Sequence, residues 1–135
     1  DLKTRFNLLR LELSRIEKQA PEVMKRYRQN LIEKIKKADL EIDAKDERLL
    51  KEIVFFSDRS DISEELTRLK SHFAQIDQIV VKSEPVGRTL DFMIQEMNRE
   101  VNTIGSKAND LTISQSVVVM KTELEKIREQ IQNIE

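Results

Sequence analysis

The sequence predicts an all-α fold: an antiparallel bundle of about six helices with a long helical hairpin and a long C-terminal helix. Three observations carry that prediction. Of 135 residues, 36% are charged and 4% aromatic, with two Gly, two Pro and no Trp, which suits long helices and not turn-rich sheets. Apolar residues recur at three- and four-residue steps along most of the chain, the spacing of one helix face. The few interruptions fall at Pro, Gly or acidic clusters.

The elements follow in order. Leu2, Phe6, Leu9, Leu13 and Ile16 predict a first helix over about 1–19, and Pro21, suited to a first helical turn, restarts the chain. A second helix then carries Val23, Tyr27, Leu31, Ile32 and Ile35 to about Ala38. After the acidic connection DLEIDAKD at 39–46, Asp43 is the expected N-cap of a short third helix through Leu49, Leu50, Ile53, Val54 and Phe56. Following DRSD at 58–61, Ile62, Leu66, Leu69, Phe73, Ile76 and Val80 form the most regular seam, the two-per-heptad pattern of antiparallel bundles. SEPVG at 83–87 reads as a tight turn, with Pro85 opening a helix whose seam is Leu90, Met93, Ile94, Met97, Val101 and Ile104. Gly105 to Asp110 loosens the backbone, and Ile113, Val117, Met120, Leu124, Ile127, Ile131 and Ile134 define the last helix.

Composition also bounds function. Absence of Cys excludes disulfides, thiolate metal sites and a Cys nucleophile, and agrees with a reducing, cytoplasmic setting. No apolar run reaches the roughly 20 residues of a membrane span, and no secretory signal pattern is present. The chain opens on Asp1 directly in a helical pattern, so a fragment of something longer is expected.

The chemistry is expected on helix flanks. At 100° per residue, Asp61, Glu65, Arg68, His72 and Gln75 fall on one flank of their helix. Phe92, Glu96, Glu100, Thr103 and Lys107 flank the seam of the next, whose other side carries Asp91, Gln95, Asn98 and Asn102. Because a short turn joins these helices, they are expected to be antiparallel neighbours. That arrangement sets His72 level with Gln95 to Glu96, Arg68 with Arg99 to Glu100, and Glu65 with Asn102 to Thr103. If both flanks turn to one side, one His and two or three carboxylates converge, a cluster that suits a divalent cation such as Mn²⁺ or Mg²⁺. Arg68, Arg99 or Lys107 would then hold phosphate oxygens, and Asn and Gln amides would supply neutral donors and acceptors.

Plainer readings accompany these. A Glu pair at i, i+4 is also the ordinary pattern of a solvated or Arg-paired face, and a His beside a seam is often a satisfied structural residue. No HExxH, Walker loop or Ser-His-Asp arrangement is present. KRYRQNLIEKIKK at 25–37 is a local basic excess in which Tyr27 could stack on a base; the same run could simply balance the acidic connection after it.

Three stretches resemble the YicC/YloC family of bacterial endoribonucleases: EPVGRTLDFMIQEMNREVNTIGSKAND at 84–110, ELEKIREQIQNIE at 123–135 and DRSDISEELTRLKSHF at 58–73. APEVMKRYRQNLIEKI at 20–35 resembles it more loosely. The resemblance implies a metal-dependent, Mn²⁺-assisted endoribonuclease that cuts single-stranded or structured RNA and works as a ring-like homo-oligomer, a hexamer. It also implies a two-part protein whose N-terminal α+β region is absent here, with 1–57 leading from that region and 58–135 forming the helical domain that carries the signature. The signature falls on Arg88, Asp91, Gln95, Glu96, Asn98, Arg99, Glu100, Asn102, Ser106 and Lys107, and upstream on Glu64, Glu65, Arg68 and His72. The expected roles are catalysis by His72, Glu96, Arg99 and Glu100, metal binding by Glu65, His72, Glu96 and Glu100, and RNA binding by Arg68, Arg88, Asn98, Asn102 and Lys107. The rival expectation is a non-catalytic helical oligomerisation or scaffold module. A two-metal redox bundle fits less well, because matched Glu-x-x-His pairs are missing.

Overall fold

The computed structural model describes residues 2–38, 46–81 and 87–134, without the side chains of residues 80, 81 and 134. The described residues form five helices and no strand: α1 (Leu2–Lys37), α2 (Glu47–Ser60), α3 (Ser63–Val81), α4 (Gly87–Lys107) and α5 (Leu111–Ile134).

The first two expected helices are one. Pro21 lies inside α1, a helix of 36 residues, about 54 Å long at 1.5 Å per residue. Proline removes one backbone N–H and crowds the preceding turn, but Pro21 is exposed, so water can reach the carbonyl of Glu17 left without its helical donor. Packing on both sides holds the rod together, with Ile16 buried and Ala20 and Val23 against the same core. The cap of α2 is Asp46, whose carboxylate accepts from the N–H groups of Arg48 and Leu49. Asp43 and the expected turn residues 83–86 lie outside the described residues.

Ion pairs give the direction of each helix. Arg5 meets Glu123 at 3.0 Å and Arg26 meets Asp110 at 2.7 Å, so α1 and α5 run antiparallel. Lys70 with Glu17, at 2.8 Å, and Arg10 with Asp77 set α3 antiparallel to α1. Arg68 with Glu100 and Lys107 with Glu65, both at 2.8 Å, do the same for α3 and α4. The result is a four-helix ring of α1, α3, α4 and α5, the antiparallel bundle that the seams predict. Its core is a single cluster containing Leu9 and Ile16 of α1, Leu69 and Ile76 of α3, Met97, Val101 and Ile104 of α4, and Met120, Leu124 and Ile127 of α5. That core draws on residues before and after residue 57.

The far half of α1 leaves the ring and pairs with α2. Tyr27 stacks on Phe56 with ring centroids 3.6 Å apart, and its hydroxyl donates to Glu52. The ring expected to be free for a base is therefore already occupied within the protein.

Helix α4 continues through Gly105, where a loosened backbone is expected. A Cβ there would come within 3.1 Å of Val117 Cγ1, so the missing side chain permits close approach of α4 and α5. We expect Gly105→Val to destabilise the fold by about 1–3 kcal/mol through overpacking. Gly105→Ala should cost less, because alanine restores about 1 kcal/mol of helix propensity. Urea denaturation of both variants measures the difference.

Candidate functional site

The regular seam of α3 turns Glu65 and Arg68 toward α4, and the seam of α4 turns Glu100 and Lys107 back toward α3. Two cross-helix pairs fix the register. Arg68 Nε donates to Glu100 Oε1 at 2.8 Å, with Glu64 and Glu65 oxygens 3.5 and 3.7 Å from its guanidinium. Lys107 Nζ donates to Glu65 Oε1 at 2.8 Å and to the backbone carbonyl of Asp61 at 3.2 Å. The expected level of Arg68 with Glu100 is met; Glu65 lies against Lys107, further along α4 than Asn102 and Thr103.

Burial divides these partners. The Glu65 and Glu100 side chains are only 3% and 13% exposed, while those of Arg68 and Lys107 are 48% and 35% exposed. The carboxylates form the floor of a strip and the two cations its solvent side. Glu100 raises the pKa of Arg68, chiefly by its hydrogen bond, and Glu65 does the same for Lys107. Both cations stay fully charged at neutral pH.

His72 is half-buried one turn beyond Arg68. Its Nδ1 lies 2.6 Å from the Arg68 carbonyl; a carbonyl only accepts, so Nδ1 carries the hydrogen and Nε2 keeps the lone pair in neutral imidazole. Beyond the other end of the strip, the Ser63 hydroxyl and N–H hold the Asp61 carboxyl below its ordinary pKa, and this carboxylate caps α3.

The remaining expected residues separate. Arg99 reaches Glu96 on its own helix at 3.6 Å, and Arg88 is exposed near the start of α4. Asp91 of α4 meets Arg128 of α5 at 3.7 Å, so that side of the helix faces α5. Asn98 and Asn102, seven and eleven residues after Asp91, share it and stand apart from the Arg68–Lys107 strip.

The expected metal quartet is not assembled. Among the described residues no three His, Cys, Asp or Glu side chains are grouped to hold a metal ion. Glu65 and Glu100 are neutralised by Lys107 and Arg68, Glu96 turns to Arg99, and His72 Nδ1 is used by a carbonyl. One oxygen, Glu65 Oε2, is buried without a hydrogen-bond partner, but a hard divalent cation needs about six oxygen donors. The donor set as arranged does not fit Mn²⁺ or Mg²⁺.

Sequence reasoning missed Asp110, which it placed in a loosened segment. Its side chain is 1% exposed and accepts from the Ile113 N–H, Gln19 and Arg26. The signal was present in Asp110-Leu111-Thr112-Ile113, an N-cap residue just before an apolar run.

The family model "Endoribonuclease YicC-like, C-terminal" matches residues 16–135. The chain belongs to that family. Among its relatives is the probable endoribonuclease YicC of Clostridioides difficile (strain 630), 46% identical over 136 residues, spanning 100% of this chain and 46% of the relative. The probable endoribonuclease YicC of Haemophilus influenzae (strain ATCC 51907 / DSM 11121 / KW20 / Rd) is 37% identical over 134 residues, spanning 99% of this chain and 46% of that protein. This YicC-like chain thus spans just under half the length of these curated relatives. Among its described residues no helix is long and apolar enough to cross a membrane.

Proposed function

We propose that this chain is the RNA-engaging helical part of an endoribonuclease and that the α3–α4 strip is its phosphodiester contact. One observation carries the reading: two half-exposed cations, Arg68 and Lys107, are oriented by nearly buried carboxylates. Cations pre-oriented in this way suit phosphate oxygens, which accept charge-assisted hydrogen bonds. The family and its relatives' names support RNA as the substrate.

Cleavage would use the RNA 2′-hydroxyl. Its oxygen attacks the adjacent phosphorus, its proton passes to His72 Nε2, and the bond from phosphorus to the 5′-oxygen breaks, the leaving oxygen taking a proton from solvent. Arg68 would balance charge building on the phosphoryl oxygens. The products are a 2′,3′-cyclic phosphate and a 5′-hydroxyl. Dependence on Mn²⁺ or Mg²⁺, a cytoplasmic location and a hexameric ring belong to the same proposal through the family resemblance. Because Glu65 and Glu100 already have cationic partners, no step is routed through a metal. Comparing cleavage in EDTA and in Mn²⁺ tests that dependence.

Arg68→Gln tests the contact. RNA affinity should fall roughly tenfold or more at low salt, as expected for one lost charge-assisted contact, and the slope of log affinity against log salt should flatten by about one unit. Unchanged affinity and slope in fluorescence anisotropy would remove the strip from the interface. A second reading, a helical assembly module, is favoured by Leu50, Val54 and Phe55, which α2 leaves exposed on one face. Under that reading, polar substitution of Val54 and Phe55 would change mass in light scattering and leave RNA affinity alone.

A further inference from the structure

Two hollows lie side by side where the end of α2, the start of α3 and the link from α4 to α5 meet. One is a cavity of about 270 Å³ whose apolar walls include Val23, Phe56, Leu66 and Ile113, with Asp61 and three serines among its polar groups. The other is lined by Arg59, Ser106, Lys107 and Asn109, with no carboxylate among its lining residues. Phe56, Ser60 and Ala108 belong to both, so the hollows share a wall.

We propose that this double hollow is a single-nucleotide subsite for RNA, with the base in the apolar cavity and its phosphate beside Arg59 and Lys107. The inference rests on the RNA reading above and extends it.

Five observations carry it. The cavity is at the small end of ligand pockets, which run from about 300 Å³, a size for one base and not for a larger cofactor. Its chemistry is that of a base site, apolar walls against the ring faces with a few polar groups for the ring edge; the Asp61 carboxylate can only accept hydrogen bonds, as amino and imino edges require. Phe56 is stacked by Tyr27, which holds its ring rigid in the wall. Arg59 makes no ion pair among the described residues and lies 5.1 Å from the centre of the Phe55 ring, so its charge is available to a phosphate. Lys107 belongs both to this hollow and to the strip, which makes the two one continuous track for a sugar-phosphate backbone.

The test is an amide-resolved NMR titration of this chain with cytidine 5′-monophosphate, with inorganic phosphate, and with a short single-stranded RNA. We expect the mononucleotide to shift Ser60, Asp61, Ala108 and Asn109 and to bind more tightly than phosphate. Arg59→Ala should weaken mononucleotide binding about tenfold, the scale of one charge-assisted contact. Ser57→Trp, at an exposed position on the cavity wall, should abolish the preference for mononucleotide over phosphate. Equal responses to phosphate and mononucleotide would overturn the base site, as would shifts at the hollow that follow self-association of the chain instead of added nucleotide. If RNA shifts Arg68 and Glu100 but not the hollow, this subsite is wrong and the strip stands. If it shifts neither, both fail.

Discussion

His72→Asn should lower RNA cleavage by about 10²–10⁴-fold, the range for loss of a positioned proton-transfer group, while RNA affinity stays within a few-fold of the parent. Asn can reproduce the hydrogen bond that Nδ1 makes to the Arg68 carbonyl, so local structure is kept. It has no basic atom at the position of Nε2. Single-turnover cleavage of an end-labelled RNA, with circular dichroism to confirm folding, measures the effect. A 2′,3′-cyclic phosphate on the parent's product would support attack by the 2′-hydroxyl, and a product with a 3′-hydroxyl would sink it. Full activity in the variant would return His72 to a structural role and leave the strip as a binding surface alone.

The second large effect is on stability. Asp110→Ala should destabilise the bundle by about 3 kcal/mol, from loss of an N-cap worth about 1 kcal/mol and of charge-assisted hydrogen bonds worth about 1.5–3 kcal/mol. Asp110 also predicts a pH dependence. Burial by itself would raise its pKa, but hydrogen bonds from Ile113 N–H, Gln19 and Arg26, with the charge of Arg26, outweigh burial and lower it below 3.8. A lowered folded-state pKa means that the native state holds its proton less tightly than the unfolded chain. The stabilisation is therefore complete at neutral pH and is lost as pH falls below about 4 toward the folded pKa. Urea denaturation between pH 7 and pH 2.5 should show a shallower acid-side loss in Asp110→Asn than in the parent. Parallel curves would remove Asp110 from the acid response.

The sequence made the bundle legible where packing alone decides structure. The seams of α3, α4 and α5 reappear as core residues from Leu69 to Ile131, because a buried stripe leaves its period in the sequence. Pro21 misled for a physical reason: its local cost is offset by tertiary contacts on either side, which reading proline as a local helix breaker leaves out. Facing polar flanks were foreseen because helix angle and an antiparallel turn fix which residues share a level. The partner each carboxylate chooses was not, since it depends on side-chain reach. Lys107 stretches to Glu65 across the groove, and that pairing turned an expected metal quartet into two salt bridges. Asn98 and Asn102 were grouped with the site by type, although their angle on α4 puts them on the α5 side.

The ring closes between its most distant parts: Arg5 finds Glu123, 118 residues later. At about 5–20 residues per second, a ribosome needs on the order of ten seconds to deliver α5 after α1 has emerged. Throughout that interval the stripe of Phe6, Leu9, Leu13 and Ile16 has no α5 to cover it. Helix α1 must wait for α5, so the nascent chain presents a sticky amphipathic segment throughout that interval. Slower translation would lengthen that exposure and increase reliance on holding chaperones, without any change in the finished fold.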